Sequence, residues 1–591
     1  MTEVTRTEGG GRRAEALVPP PSALCLPPWL SWLSVALLAL LASAPSLVNG
    51  FVYDDRPIIA TNARVHTLAR WWAAFGQSYW PPDWGDTNYR PLTILSFAVQ
   101  WAIGDGSAAV FHAVNVALYV AVSVAVLALA RLVLPTSIAW IVAALFAVHP
   151  VHVEAVGNVV GQAELVVAIC TVLAVRSYVR SRDSLAAPRI RDIATIALLY
   201  TTACFSKETG FFLVGLLLAA ECTIVAVRLD VSRRSLSVRA RELWLLYAVC
   251  AVVATGYLAA RRSVLGGFGD DPNTVIAMLS HEARLLTMLS VVPEWTRLLL
   301  WPARLSADYS PADVPVVLGL ASELIGPAVV LIGVVALAVA GWRGRRVGTF
   351  GLLWVGIGLF PVSNIVLRSG VIIAERTLFL PSVGALLAVG TALAWMRRRA
   401  VDFELSPARI AVLPVALVLA LGVVKSATRQ RVWRSTDDFH RTVVEDAPLS
   451  YRAQYMHGMW HFRNGRRAEG ERHVRTAITL FPYDAAPYVD LADQYRETGL
   501  CAPARDLYRR ALDLGTRRDG ARFGLVLCLL QDGHFTEASS EARRGASTGG
   551  PLTSRYRRLL AIADSAAAST PQVRQSGAAV WTRSQKRDPS P

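Results

Sequence analysis

Lysine is almost missing from this 591-residue chain: of 60 basic residues only Lys207, Lys425 and Lys586 are lysines. The other basic residues are arginines, and they cluster in short gaps between apolar runs. The net charge of +16 therefore does not mark a nucleic-acid surface. It follows the pattern of cytoplasmic loops between membrane spans, and no nucleic-acid partner is expected. Cysteine is scarce as well. The seven cysteines show no CxxC pair and no metal spacing. Cys170, Cys204, Cys222 and Cys250 lie in apolar runs and read as small hydrophobes, while Cys25, Cys501 and Cys528 offer no disulfide framework. Walker loops, GxGxxG motifs and Ser-His-Asp arrays are lacking, which leaves nucleotide use unsupported; no cofactor is expected. The first apolar stretch has no clear small-residue cleavage motif, so it reads as a retained helix.

What the chain has in excess is apolar sequence, 53% of residues. Apolar runs recur over the first 425 positions, and the dense Arg clusters separate them at Arg176 to Arg191, Arg228 to Arg241, Arg343 to Arg346 and Arg397 to Arg409. With these inside, the expected spans are 29–48, 110–131, 137–150, 159–178, 192–206, 209–227, 242–261, 314–341, 347–362, 378–396 and 408–424. That is about 11 crossings, with a leader at 1–28 inside and disordered, and everything after Lys425 outside. Residues 286–301 contain Pro293, Glu294 and Arg297 and are expected as an external interfacial or re-entrant helix. Residues 91–103 are read as a further interfacial helix.

Past the membrane part, Gly465, Gly499 and Gly533 recur every 34 residues. Gly458, Ala492 and Val526 share one phase; Gly470, Ala504 and Ala538 share another. Small residues at these phases let paired helices approach closely, the pattern of a tetratricopeptide array. Three repeats are expected within 426–548 after a leading helix, Trp433 to Val444. The segment 549–591 is expected to be mostly disordered. The fold class is thus all-α: a polytopic membrane bundle over 29–425 followed by a soluble α-solenoid.

The candidate chemistry gathers on the external side. Asp54 and Asp55 follow the first span, in an external loop at 51–109, and could serve as a general base with an orienting partner. Their bland alternative is an interfacial pair with Arg56. Tyr89 and Arg90 follow an aromatic stretch holding Trp71, Trp72, Tyr79, Trp80 and Trp84, suited to a membrane interface or to sugar stacking. Arg90 is a candidate phosphate ligand. His149, His152 and Glu154 could bind a metal, but Pro150 breaks the helix that would align them and a third firm ligand is missing. They read better, with Glu164, as a polar loop lining a substrate cavity. Lys207 beside Glu208, and Arg376 beside Glu375, are further candidates for a lipid-linked phosphate. Each has an ion pair as its simpler explanation.

Several of these pieces together resemble a known family. Phe51-Val52-Tyr53-Asp54-Asp55, Tyr89-Arg90-Pro91-Leu92-Thr93, Phe111-His112-Ala113-Val114-Asn115, the run Ala147 to Val156, Ser206-Lys207-Glu208, Leu305 to Ser310 and Glu375 to Ser382 occur in the order seen in the transmembrane and tetratricopeptide-repeat-containing O-mannosyltransferases, within the GT-C glycosyltransferases. The resemblance implies a membrane enzyme that takes a hexose, expected to be mannose, from a polyprenyl-phosphate donor. It would transfer the sugar with inversion onto a Ser or Thr hydroxyl of a protein outside the cytoplasm, without a metal. Asp54 and Asp55 then fall on the family's acidic pair, Asp54 being the favoured base. Arg90, Lys207 and Arg376 become donor-phosphate ligands, with Tyr89, His149, His152, Glu154, Glu164, Glu208 and Glu375 around the substrate. The partners implied are the lipid-linked donor, membrane lipid and a protein or peptide acceptor held by the repeats. The arginine bias favours a bacterial plasma membrane over the endoplasmic reticulum. Two rivals remain: a non-catalytic scaffold presenting the repeats, and a transporter of lipid-linked sugar, which would place its ionisable groups nearer the bilayer midplane.

Overall fold

The computed structural model describes residues 27–568, apart from 83–87, 183–186, 226–235, 268–273, 310–316, 318–323, 344, 367, 403–406, 516–517 and 551. Most of the leader, Trp84, Ser310, much of the basic loop after Arg228, the start of the span expected from 314 and the tail beyond 568 lie outside the described residues. Among the described residues the fold is built from helices, with no strand.

Proline sets several helix starts. Pro28 and Pro91 occupy the first helical position of Pro28–Ser43 and Pro91–Gly104, where the missing N–H costs nothing. Among the described residues eight helices are long and apolar enough to cross a membrane: Pro28–Val48, Ala108–Val133, Val159–Ser181, Glu208–Val225, Val238–Leu265, Ile325–Trp342, Glu375–Arg399 and Val412–Trp433. The chain is therefore a multi-pass membrane protein. Each of the eleven expected spans has a helix, but three differ from a simple crossing. Ile190–Ser206 is 17 residues long, and Arg346–Val362 is a shorter apolar helix. The span expected at 137–150 is a broken one: Thr136–Ala147 and Pro150–Gly157 meet at 46°. Pro150 forces this, because His149 before it is extended (φ −70°, ψ 119°) and cannot continue the helix.

The outer helices wear their apolar residues on the outside. Leu331, Ile332, Val334 and Val335 of Ile325–Trp342 are all exposed, as are Leu33, Leu37 and Leu41 of the first span. Such faces suit lipid rather than water. The largest core lies between the spans, where Trp354, Tyr178, Tyr200 and Phe146 are fully buried.

Beyond Gln430–Trp433 a helix, Thr436–Asp446, leads into three helical hairpins: Tyr451–Arg463 with Arg467–Leu480, Ala485–Glu497 with Cys501–Leu514, and Arg518–Gln531 with Phe535–Ser547. Gly465, Gly499 and Gly533 each sit in the hairpin turn with φ of +74°, +80° and +77°, a conformation that glycine adopts without cost. Thr553–Ala568 forms one more helix within the segment 549–591, and buries Tyr556 and Leu559. The first hairpin is docked on the bundle. Tyr451 and Ala477 share one apolar cluster with Val151, Trp295, Leu305, Tyr309 and Leu378. His281–Leu300, which spans the expected interfacial segment, contributes Trp295 to that cluster and pairs Arg297 with Glu294.

Candidate active site

The end of the first span is tied to the start of the helical region that follows the last span. Asn49 donates from Nδ2 to the Gln430 carbonyl at 3.1 Å, and the Gly50 N–H donates to the Arg434 carbonyl at 3.0 Å. This fixes where residues 51–55 emerge. Tyr53 takes a left-handed backbone (φ +53°), unusual for an aromatic residue. Its ring stacks on Phe439 at 5.1 Å, a contact that holds the strained turn.

That turn sends the two aspartates to different places. Asp55 is fully buried. Its carboxylate accepts the N–H groups of Val52 (3.3 Å), Val159 (3.2 Å) and Val160 (2.9 Å), stapling the first loop to the Val159–Gly161 turn. Burial pushes its pKa up to about 7, against the pull of those three amides. Asp54 stays partly open, its side chain 18% exposed, with Oδ2 at 3.8 Å from the Arg376 guanidinium. Burial raises its pKa above the ordinary carboxylate range; Arg376 opposes the rise and Glu154 adds to it.

Arg376 is held by Glu154 twice, through its main-chain N–H at 2.8 Å and Nη1 at 2.6 Å. Beside this pair opens a small, partly solvent-open cleft lined by Tyr53, Glu154, Asp308, Tyr309, Arg376 and Arg452 among others. Glu375 stands behind its wall, accepting from the Tyr309 hydroxyl (2.8 Å) and the Ser306 N–H (2.6 Å). Arg452 enters from the first hairpin, on Tyr451–Arg463. Its guanidinium lies 3.7 Å from Asp308 and 3.5 Å from the Tyr53 hydroxyl.

A second group of charges adjoins. Arg90 grips Glu208 by two parallel bonds of 2.9 and 2.5 Å and lies over the Tyr79 ring at 4.8 Å. Lys207 pairs with Glu164. Burial holds the Lys207 ammonium below its usual pKa, with Glu164 opposing. Arg90 also opposes the rise of the Asp54 pKa, after Arg376.

The structure thus gathers Asp54, Glu154, Arg376, Arg90, Glu208, Lys207 and Glu164, with Asp55 and Glu375 as supports. It turns the other expected cavity residues inward. His149 contacts the Leu299 carbonyl at 3.1 Å. His152 is held between the Tyr119 hydroxyl and Ser382 Oγ, at 3.1 and 2.9 Å. Tyr89 is buried and donates to the Phe75 carbonyl at 2.9 Å. These three brace the fold and do not line the cleft, because each is already engaged by protein. Arg452, Asp308, Tyr309 and Tyr53 are not singled out as site residues by the sequence. Asp308 and Tyr309 sit in a motif the sequence displays. Arg452 carries no signal, since an arginine on a repeat helix reads as a solvated face.

No protein-family model matches the chain. Curated relatives do. Human "Protein O-mannosyl-transferase TMTC1" is 26% identical over 552 residues, covering 84% of this chain and 60% of that protein. Human TMTC3 of the same description is 24% identical over 504 residues, covering 79% of this chain and 53% of the relative. Drosophila melanogaster Tmtc2, also named a protein O-mannosyl-transferase, is 32% identical over 287 residues, 47% of this chain and 30% of its own length. The chain is similar to the two human proteins over most of its length and to the Drosophila protein over just under half of it, and it spans 30% to 60% of their lengths. All three relatives are animal proteins, which lends no support to the expected bacterial membrane.

Proposed function

We propose that this chain is a membrane-embedded glycosyltransferase that moves a hexose, mannose by its relatives' names, from a polyprenyl-phosphate donor to a Ser or Thr hydroxyl of a protein on the extracytoplasmic side. The observation that carries the reading is the division of labour between Asp54 and Asp55. Asp55 spends its carboxylate on three backbone amides. Asp54 keeps a partly open carboxylate 3.8 Å from Arg376, and Arg376 lines the cleft.

In this reading Asp54 takes the proton from the acceptor hydroxyl as its oxygen attacks the anomeric carbon. The bond from that carbon to the phosphate oxygen breaks on the opposite face, and the electron pair leaves with the polyprenyl phosphate. The sugar inverts. A raised pKa suits Asp54 to this task, because a base works best when its pKa lies near the working pH. Arg376 is the cation nearest the base. It would take up charge on the leaving phosphate, which costs little because Glu154 already fixes its geometry. Arg90 and Lys207 join it by giving up part of their pairing with Glu208 and Glu164 to the phosphate. The helical hairpins after Tyr451 act as a tetratricopeptide array that holds the acceptor polypeptide.

The test is direct transfer. Purified protein in detergent, mannosyl-phosphoryl-polyprenol and a Ser/Thr peptide should yield glycosylated peptide, and Asp54→Asn should lose about 10²–10⁴-fold in kcat. A folded wild-type chain that transfers no hexose from any lipid-linked donor would sink the proposal. Asp54→Asn and Asp55→Asn chains that keep full biological activity would point to the scaffold instead.

A further inference from the structure

The first hairpin also brings three histidines together. His457 and His461 stand one turn apart on Tyr451–Arg463, and His473 projects from Arg467–Leu480. The helices meet unusually closely here. A Cβ on Gly458 would fall 2.7 Å from the Val474 side chain and 2.9 Å from the Gly470 carbonyl, so only glycine lets His473 approach. The Nε2 atoms of His457 and His461 are 3.0 Å apart. One ligand atom from each of the three rings lies within 4.8 Å of the others.

We propose that His457, His461 and His473 form a binding site for a divalent transition-metal ion of the zinc class, with water at the fourth position. Two nitrogens bound at 2.0–2.1 Å to a tetrahedral ion stand about 3.3 Å apart. The His457–His461 pair is already near that spacing, and a small rotation of the half-buried His473 closes the set. The rear atom of one ring is anchored, and a carboxylate lies close behind a second. His473 Nδ1 contacts Gln454 Oε1 at 2.7 Å, which makes Nδ1 the protonated nitrogen and leaves Nε2 free to bind. His461 Nδ1 contacts Glu469 Oε2 at 3.1 Å. A carboxylate or amide behind a ligating imidazole is the usual outer support of such sites. A ligating imidazole must be neutral. Burial lowers all three pKa values, and for His457 to about 4. Arg466 and Arg472 add to the effect on His461, while Glu469 opposes it. A second ion-binding class, a hard cation such as Mg²⁺, is disfavoured by three nitrogen donors.

The site has a structural consequence independent of the transferase reading. Arg452, which reaches the cleft, lies on the same helix as His457 and His461. An ion bridging the two helices pins that hairpin, and with it the arm that carries Arg452.

The experiment uses the full chain in detergent, purified without a histidine tag. Metal content after dialysis against micromolar Zn²⁺ and the visible absorption of the Co²⁺-loaded protein are the readouts. One tightly held ion per chain is expected, with a tetrahedral Co²⁺ spectrum. His457→Gln and His473→Gln should each weaken Zn²⁺ binding by about 100-fold, with unchanged far-ultraviolet circular dichroism. His534→Gln, at an exposed histidine elsewhere in the array, should bind as wild type. Wild type with no stoichiometric ion, or folded His457→Gln and His473→Gln variants with wild-type occupancy, would overturn the site.

Discussion

The two aspartates differ by one position and by opposite demands, so their substitutions should separate. Asp54→Asn removes the proposed base but no backbone contact; kcat should fall while the melting temperature stays near wild type. Asp55→Asn leaves amides of Val52, Val159 or Val160 without an acceptor. An unsatisfied buried donor costs about 1–3 kcal/mol, so the Asp55→Asn chain should melt earlier, with activity following the fold. Acidity adds a sign to this contrast. The Asp55 pKa rises from 3.8 to about 7 on folding. Protonated Asp55 therefore contributes stability that is fully present below pH about 3.8 and lost as pH rises through about 7. The deficit of Asp55→Asn should be largest below pH about 3.8, narrow as pH rises toward about 7 and change little beyond it, as melting curves across pH would show. Asp54 must be ionised to act. Its raised pKa predicts an acidic limb of kcat/KM centred above the ordinary aspartate value of about 3.9. A limb at the ordinary value would contradict a buried base.

At the scale of elements, much of this architecture is written in local pattern. Apolar length and arginine clustering locate helices at every expected span, and the 34-residue glycine period locates the hairpin turns, because both signals are carried by neighbours in sequence. The partners inside the site are not local. Arg90 meets Glu208 across 118 positions, and Arg376 meets Glu154 across 222. No periodicity encodes such pairings, so the charges can be named but not matched. His149 and His152 show the converse failure. Polar residues at a broken helix look like cavity lining, yet here they satisfy Leu299, Tyr119 and Ser382 within the bundle. The broken helix also makes a sharp demand at Gly161, where a Cβ would sit 2.3 Å from the Ala155 carbonyl oxygen. Gly161→Ala must push the Val159–Gly161 turn away from Asp55. It should cost about 1–3 kcal/mol and, unlike Asp54→Asn, reduce activity and melting temperature together.

Across the whole molecule, the hairpins after Tyr451 are a stack in which each unit leans on its neighbours, and the membrane bundle acts as the cap of the first. Tyr451 is buried in a cluster shared with Val151, Leu305 and Tyr309, and Arg452 beside it enters the cleft. Tyr508, in the second hairpin, is equally buried but packs only within the array's own cluster. Stability in such stacks is a sum of unit and nearest-neighbour terms, so damage should stay local. Truncating a buried aromatic costs about 3–5 kcal/mol. Tyr508→Ala should therefore loosen the distal hairpins, seen as faster amide exchange over 485–547, while kcat on a short peptide stays within a factor of about two. Tyr451→Ala carries a similar cost but should be felt in the bundle, lowering kcat and the melting temperature alike. Equal effects of the two substitutions on kcat would mean that the array and bundle fold as one cooperative unit, and the assignment of separate roles to cleft and distal repeats would fail.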